Sequence, residues 1–178
     1  MGNDVRYNCL EFNGELLNPS FSIYLFEIFK GKKKYCYVGM TGDNHYPSAR
    51  SILHRLSGHI DLSKQSTQSQ LQLAILDLFG KKKGQRLTLG ELKTLQIKLH
   101  HWAIPGFKIW KGDMKSFDKD CSEYKAYDKK RKRVTNLENK IISDFNEFGL
   151  LNKTPKKAVS ELNTDELNIF NAIEKIIK

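Results

Sequence analysis

At 178 residues, with 39% hydrophobic and 28% charged side chains, the chain has the size of one domain and enough apolar surface for its own core, which excludes a disordered tail. Its net charge of +10 and pI near 9.4 give it a field that attracts polyanions, with nucleic acid first among candidate partners. No apolar run approaches the roughly 20 residues that span a bilayer, and residues 1–20 lack a basic segment followed by an apolar one, so a cytoplasmic protein with no membrane partner is expected.

Those first residues read as a leader with at most a short edge strand. FSIYLFEIF, from Phe21 to Phe29, is β-branched and aromatic with little alternation, the pattern of a strand buried on both faces. KGKKK (Lys30–Lys34) is a turn and YCYVGM (Tyr35–Met40) a second, antiparallel strand; a turn centred between Lys30 and Gly31 sets Tyr24 opposite Tyr37. After a loop punctuated by Gly42 and Pro47, SARSILHRLSGHI places Ile52, Leu53, Leu56 and Ile60 on one side of a helix. Thr67 with Gln70 forms a capping box ahead of Leu71, Ala74, Ile75 and Leu78, and Gly80 stops that helix. Thr88 with Glu91 forms another, ahead of Leu92, Leu95 and Leu99, which predicts an amphipathic helix ending near Trp102. Pro105 and Gly106 break the pattern, and FKIWKG (Phe107–Gly112) reads as a third strand.

The longest helix runs from about Cys121 to Phe148 on a stripe of Val134, Leu137, Ile141, Phe145 and Phe148, with Gly149 as its stop. A closing helix, about Asp165–Ile177, carries Leu167, Phe170, Ile173 and Ile177 onto the core. Cys9, Cys36 and Cys121 are too widely spaced for a metal clip and odd in number, so they are expected to be reduced thiols, with Cys36 buried in a strand. The fold class is α+β, a small three-stranded antiparallel sheet flanked by helices.

Ser22-Ile23-Tyr24 and Tyr37-Val38-Gly39 lie on neighbouring strands. They are followed by Arg55 and His59 at i, i+4 on a helix, by Glu138 on the late helix and by Asn152 in the turn behind it. In content and order this set resembles the GIY-YIG nuclease superfamily, with its restriction- and homing-endonuclease-like catalytic domains, over Phe21–Asn152. Ser22 stands for the first glycine and Val38 for isoleucine. The interval from Tyr37 to Arg55 is longer than in compact members of the family, and Arg50 competes with Arg55, which is preferred because His59 follows it by four residues. The resemblance implies a leader over 1–20 and a nuclease domain over 21–153. It also implies an inserted helical pair at about 61–102 and a helical extension over 154–178 packed on the same domain. It further implies a metal-dependent endonuclease that hydrolyses DNA phosphodiesters by single-metal, in-line water attack, with Tyr24, rather than Tyr37, favoured as general base. The stand-alone size and the inserted helices favour a restriction-enzyme-like or mobile-element protein.

The residue chemistry suits that expectation. One carboxylate, Glu138, is enough protein ligation for Mg²⁺, which keeps several waters and substrate oxygens in its shell, and Mn²⁺ is expected to substitute. Arg55 offers a permanently charged fork for phosphate oxygens, His59 a proton donor or acceptor, and Tyr24 and Tyr37 phenols for the attacking water. Asn152 is a supporting residue. Lys129, Lys130, Arg131, Lys132 and Arg133 lie one to two turns before Glu138 and are placed to guide a phosphate backbone. KGKKK and KKKGQR are further candidate phosphate contacts, with Trp102 and Trp110 as stacking or core residues. His100 and His101 lack a third ligand at metal spacing and read as structural or DNA-facing. The alternative is a non-catalytic nucleic-acid-binding protein that keeps the fold; RNA as substrate, and a monomer or a homodimer, stay open.

Overall fold

In the computed structural model, which describes residues 11–42, 49–60, 70–104, 118–153 and 160–178, the aromatic run forms strand β1 (Ser22–Lys30), buried along most of its length. It turns at Gly31 and Lys32 into β2 (Lys33–Met40). Gly31 has φ +59° and, among the described residues, no non-glycine residue has positive φ, the arrangement of a two-residue hairpin whose first central position is left-handed. The turn is therefore centred one residue later than the sequence suggested, and Tyr24 faces Gly39 while Phe26 faces Tyr37. This corrects the expected Tyr24–Tyr37 pair. The register moves by two residues, an even number, so both tyrosines stay on one face as diagonal neighbours.

The third strand corrects a larger expectation. The Thr88 capping box forms, with Glu91 N–H on Thr88 Oγ1 at 3.2 Å and Thr88 N–H on Glu91 Oε2 at 2.6 Å. The helix it opens lasts one turn, Leu89–Leu92. Leu95–Ala103 is instead a strand, antiparallel to the free side of β1, giving the sheet order β2-β1-β3. For the numbering used below, Ile52–Ile60 is α1, Gln70–Leu78 α2, the single turn at Leu89–Leu92 α3, and Leu95–Ala103 β3. Leu92, Leu95 and Leu99 satisfy a helical spacing, but Leu95, Ile97 and Leu99 also alternate, and pairing with β1 decides between the two periods. The expected helical pair is thus one helix, one turn and a strand of the central sheet. The capping box at Thr67 and the strand expected at Phe107–Gly112 lie outside the described residues.

Ser51 Oγ accepts the His54 N–H at 3.2 Å and caps α1. α2 ends at Gly80, φ +66°, where Gly80 N–H reaches Asp77 C=O and Lys81 N–H reaches Leu76 C=O, closing the orphan carbonyls. α4 (Ser122–Asp144) is followed by a 3-10 turn over Asn146–Phe148 and by Gly149 at φ +78°, so the predicted stop is in place. Its stripe ends at Phe145, because Phe148 is 47% exposed. α5 (Thr164–Ile177) buries Ile169, Ile173 and Ile177; Leu167, expected in that row, faces out and Phe170 is partly buried.

The sheet divides the interior in two. On one face Ile23, Leu25, Cys36 and Val38 pack with Val134, Leu137, Ile141, Ile169 and Ile173 of α4 and α5. On the other Tyr24, Phe26, Ile28 and Tyr37 pack with Ile52, Leu71 and Ile75 of α1 and α2. Behind α4 the chain runs parallel to β2, with Cys36 N–H on Gly149 C=O at 3.2 Å and Leu151 N–H on Cys36 C=O at 2.8 Å.

Candidate active site

Four of the five residues singled out as catalytic candidates, Tyr24, Tyr37, Arg55 and His59, gather on the tyrosine-bearing face of the sheet, and Glu138, on α4, lies near enough to act on Tyr24 and Tyr37 through its charge. Tyr24, on the central strand and 1% exposed, places Oη 2.7 Å from His59 Nε2. Opposite it, a Cβ on Gly39 would stand 2.3 Å from both Cζ and Oη of Tyr24. The phenol therefore lies across the β2 backbone where only glycine lets it pass. His59 comes from the last turn of α1 and sits among three rings, with centroids 5.7 Å from Tyr24, 5.9 Å from Tyr37 and 6.1 Å from Phe26. One turn earlier on the same helix, Arg55 donates from Nη2 to the Met40 carbonyl at 3.1 Å.

These groups set one another's protonation. Burial pushes the Tyr24 phenol well above its ordinary value, with the Arg55 charge and hydrogen bond pulling the other way and Tyr37 and Glu138 adding to the rise. Tyr37 is pushed up to about 12, mostly by burial and then by Glu138. His59 is lowered to about 4 by burial and by the neighbouring Arg55 cation. At neutral pH the imidazole is uncharged and both phenols keep their protons, so the 2.7 Å bond between Tyr24 Oη and His59 Nε2 joins a neutral phenol to a neutral imidazole.

Glu138 enters from α4, next to the fully buried Leu137. Burial raises its carboxyl to about 7, and Arg55 is the charge that opposes the rise. Among the described residues no hydrogen-bond donor rests on this carboxylate, and no three His, Cys, Asp or Glu side chains stand close enough to cage a metal ion. A half-buried, donor-poor carboxylate fits a divalent cation that takes one protein ligand and fills the rest of its shell with water and substrate oxygens. A cation there would remove the penalty that burial places on the charge.

Asn152 does not join this cluster. Its Oδ1 accepts the Val38 N–H and its Nδ2 donates to the Val38 C=O, both at 2.8 Å, so the amide acts as one more residue of strand paired to β2 between Tyr37 and Gly39. The basic run is largely paired within the molecule: Arg131 and Lys132 reach Asp128 at 2.9 and 2.6 Å, and Arg133 makes a two-pronged bond to Glu166 of α5. Lys129 is exposed, and Asp165 lies near Lys130.

Two supports were not foreseen. Ser22, at the position of the first motif glycine, gives its N–H and Oγ to Thr41 Oγ1 at 2.9 and 3.1 Å, and Thr41 in turn donates to the Ser20 carbonyl. That fully satisfied hydroxyl pair locks the start of β1 to the residue behind β2. The two histidines point to opposite faces of β3: His100 bonds Glu27 at 2.8 Å and stacks beside Trp102, whereas His101 faces Tyr24 across the strands. Cys36 is a buried thiol pushed up to about 11 by burial, and Cys121 caps α4 through its sulfur, accepting the Tyr124 N–H at 3.4 Å.

Among the described residues no helix is long and apolar enough to cross a membrane. Comparison with protein-family models, curated proteins and solved structures gives no match, so the reading of this site rests on its residues and their geometry.

Proposed function

We infer that the protein is a metal-dependent endonuclease of the GIY-YIG type that hydrolyses DNA phosphodiester bonds. The observation that carries this reading is the grouping of Tyr24, Tyr37, Arg55 and His59 on one face of the sheet within electrostatic reach of Glu138, with the phenol of Tyr24 bonded to a neutral imidazole. An ordinary apolar core has no use for two phenols, a guanidinium and an imidazole grouped near a carboxylate, because each costs free energy to desolvate.

In this reading a phosphodiester seats against Arg55, whose charge opposes that of the phosphate oxygens. The attacking water donates a hydrogen bond to Tyr24 Oη. As its oxygen bonds to phosphorus and the opposite P–O bond breaks in line, the water's proton passes to Tyr24 while the phenol's own proton moves to His59 Nε2, and the leaving oxygen departs with the bonding pair and takes a proton from solvent. Seating the phosphate also offsets one of the two causes that hold His59 down, the Arg55 charge. Tyr37, still protonated, remains a hydrogen-bond donor to a phosphate oxygen or the water. Glu138 would hold Mg²⁺ or Mn²⁺, which when bound supplies Lewis-acid stabilisation of the charge that grows on the phosphoryl oxygens.

The test is nicking of supercoiled plasmid by the purified protein with Mg²⁺ or Mn²⁺, against EDTA and against Glu138→Ala and Tyr24→Phe. Metal-dependent cutting lost in both variants is the expected result. Cutting that survives Glu138→Ala refutes the site. Binding without cutting, insensitive to EDTA, supports instead a nucleic-acid-binding protein that keeps this fold.

A further inference from the structure

Among the described residues two buried side-chain nitrogens have no hydrogen-bond partner, Arg55 Nε and His101 Nε2. They belong to one end of the sheet. Arg55 is anchored on Met40, the last residue of β2, and His101 stands directly opposite Tyr24 near the end of β3. Tyr24 is thus flanked on its two sides by Gly39, over which its ring lies, and by His101.

The sequence of β3 makes the histidine conspicuous. Leu95 and Leu99 pack into the apolar cluster of Tyr24, Phe26 and Ile28, and the alternation asks for another apolar side chain at position 101. An imidazole stands there instead, at the one position of β3 that pairs with the central phenol. Its sequence neighbour on the opposite face, His100, has its Nε2 satisfied by Glu27; His101 has not. Folded proteins retain few buried polar atoms without partners, and those retained cluster where a ligand completes them.

Both orphans suit the same ligand. Arg55 Nε carries a hydrogen that can only donate, and a neutral imidazole can present Nε2–H as a donor without adding a second cation to a site that already holds Arg55. A phosphodiester offers oxygen acceptors and no donors. We propose that His101 is a further substrate-binding residue of this site, its Nε2–H and the Nε–H of Arg55 donating to the oxygens of a phosphodiester lodged beside Tyr24. The identification of that anion as part of DNA rests on the nuclease reading above; the anion site itself rests on two partnerless donors at the same end of the sheet.

The experiment compares the parent with His101→Leu and His101→Gln in three readouts. These are melting temperature, KM and kcat for plasmid nicking, and the Nε2 resonance of ¹⁵N-labelled His101 as inorganic phosphate or a 20-base-pair DNA duplex is added in EDTA. His101→Leu restores the apolar alternation, so it is expected to melt no lower than the parent. Its kcat/KM is expected to fall about ten- to hundredfold, mostly through KM, as loss of a hydrogen bond to a charged group implies. His101→Gln keeps an N–H and recovers part of that loss, and the His101 resonance moves with both probes. A lower melting temperature for His101→Leu with KM unchanged and a resonance indifferent to both probes overturns the proposal and leaves His101 a packing residue. A parent that cuts nothing while phosphate moves the resonance retires the nuclease reading and keeps the anion site; a parent that cuts while the resonance stays still does the reverse. If His101→Leu does not fold, the resonance and His101→Gln decide.

Discussion

Gly39→Ala is the sharpest perturbation of the site, because one methyl group there meets the Tyr24 phenol, the proposed general base. The added Cβ would lie 2.3 Å from Tyr24 Cζ and Oη and 2.6 Å from Cε2, whereas carbon atoms in contact settle at about 3.5–4.0 Å. Tyr24 must therefore retreat by roughly 1.2 Å or more. It is 1% exposed and braced edge-on by Phe26 at 5.6 Å between centroids, so it retreats into packed atoms. Overpacking of this kind costs about 1–3 kcal/mol of stability. The displaced hydroxyl also leaves its 2.7 Å bond to His59, and a misplacement of about 1 Å at a reacting group costs about 10²-fold in rate. The assay pairs urea denaturation with plasmid nicking, using Gly58→Ala as control. Gly58 lies in α1 beside His59 with nothing within 4 Å of a new Cβ, so alanine there should stabilise by roughly 0.5–1 kcal/mol and leave cutting unchanged. If Gly39→Ala matched the parent in both denaturation midpoint and nicking rate, the clearance argument, and with it the placement of Tyr24 across β2, would be wrong.

Glu138 makes stability depend on pH in an unusual sense. With its folded value raised from 4.5 to about 7, the folded protein holds the extra proton across that window, so this group's contribution to stability falls as pH rises. Metal-free Glu138→Gln should therefore match the parent below pH 4.5, gain on it up to about 7 and keep the gain above, as a series of melting temperatures against pH would show. His59, lowered from 6.5 to about 4, works the other way: the unfolded chain holds the extra proton, stability rises with pH between those values, and His59→Gln should flatten that rise. Asn152→Ala strips two 2.8 Å bonds from Val38 and should cost about 2 kcal/mol in urea denaturation, at about 1 kcal/mol per bond. Arg133→Ala leaves the Glu166 carboxylate with the Asn163 N–H of the α5 capping box alone and should cost about 1–3 kcal/mol in urea denaturation. Exposed Lys129 should instead leave stability alone when changed to Ala and, if it meets a phosphate, reduce the salt dependence of DNA binding by about 0.9 in log–log slope.

The parts legible in the sequence are those whose cause is local. The hairpin residues, the Gly80 and Gly149 stops and the Val134-Leu137-Ile141 stripe all follow from periodicity and backbone chemistry within a few residues. Leu95–Ala103 was not legible because its local signals conflict: a working capping box and a leucine spacing promise a helix, and only the distant edge of β1 makes it a strand. The candidate site could be named from the order of its residues, of which Tyr24, Tyr37, Arg55 and His59 come together and Glu138 lies within reach of their charges. What each does to the others depends on burial that no spacing reports. The same limit hid the pairing of the basic run: Arg133 lies in a stretch of five cations, and nothing in that stretch shows that Glu166, thirty-three residues on, will claim it. His101 was the reverse case, visible as a break in alternation once the segment is known to be a strand.

The placement of Tyr24 on the middle strand of three has a mechanical consequence. A residue on an edge strand can shift when one ladder frays, but β1 is held by ladders on both sides and roofed on both faces, so its backbone opens only when the sheet does. The phenol is thereby fixed to the stiffest line in the molecule. Its partners arrive from outside the sheet, His59 and Arg55 on α1 and Glu138 on α4, as two jaws hung on separate supports. Any adjustment around the phenol therefore falls to the helices, with the sheet as the anvil against which they close.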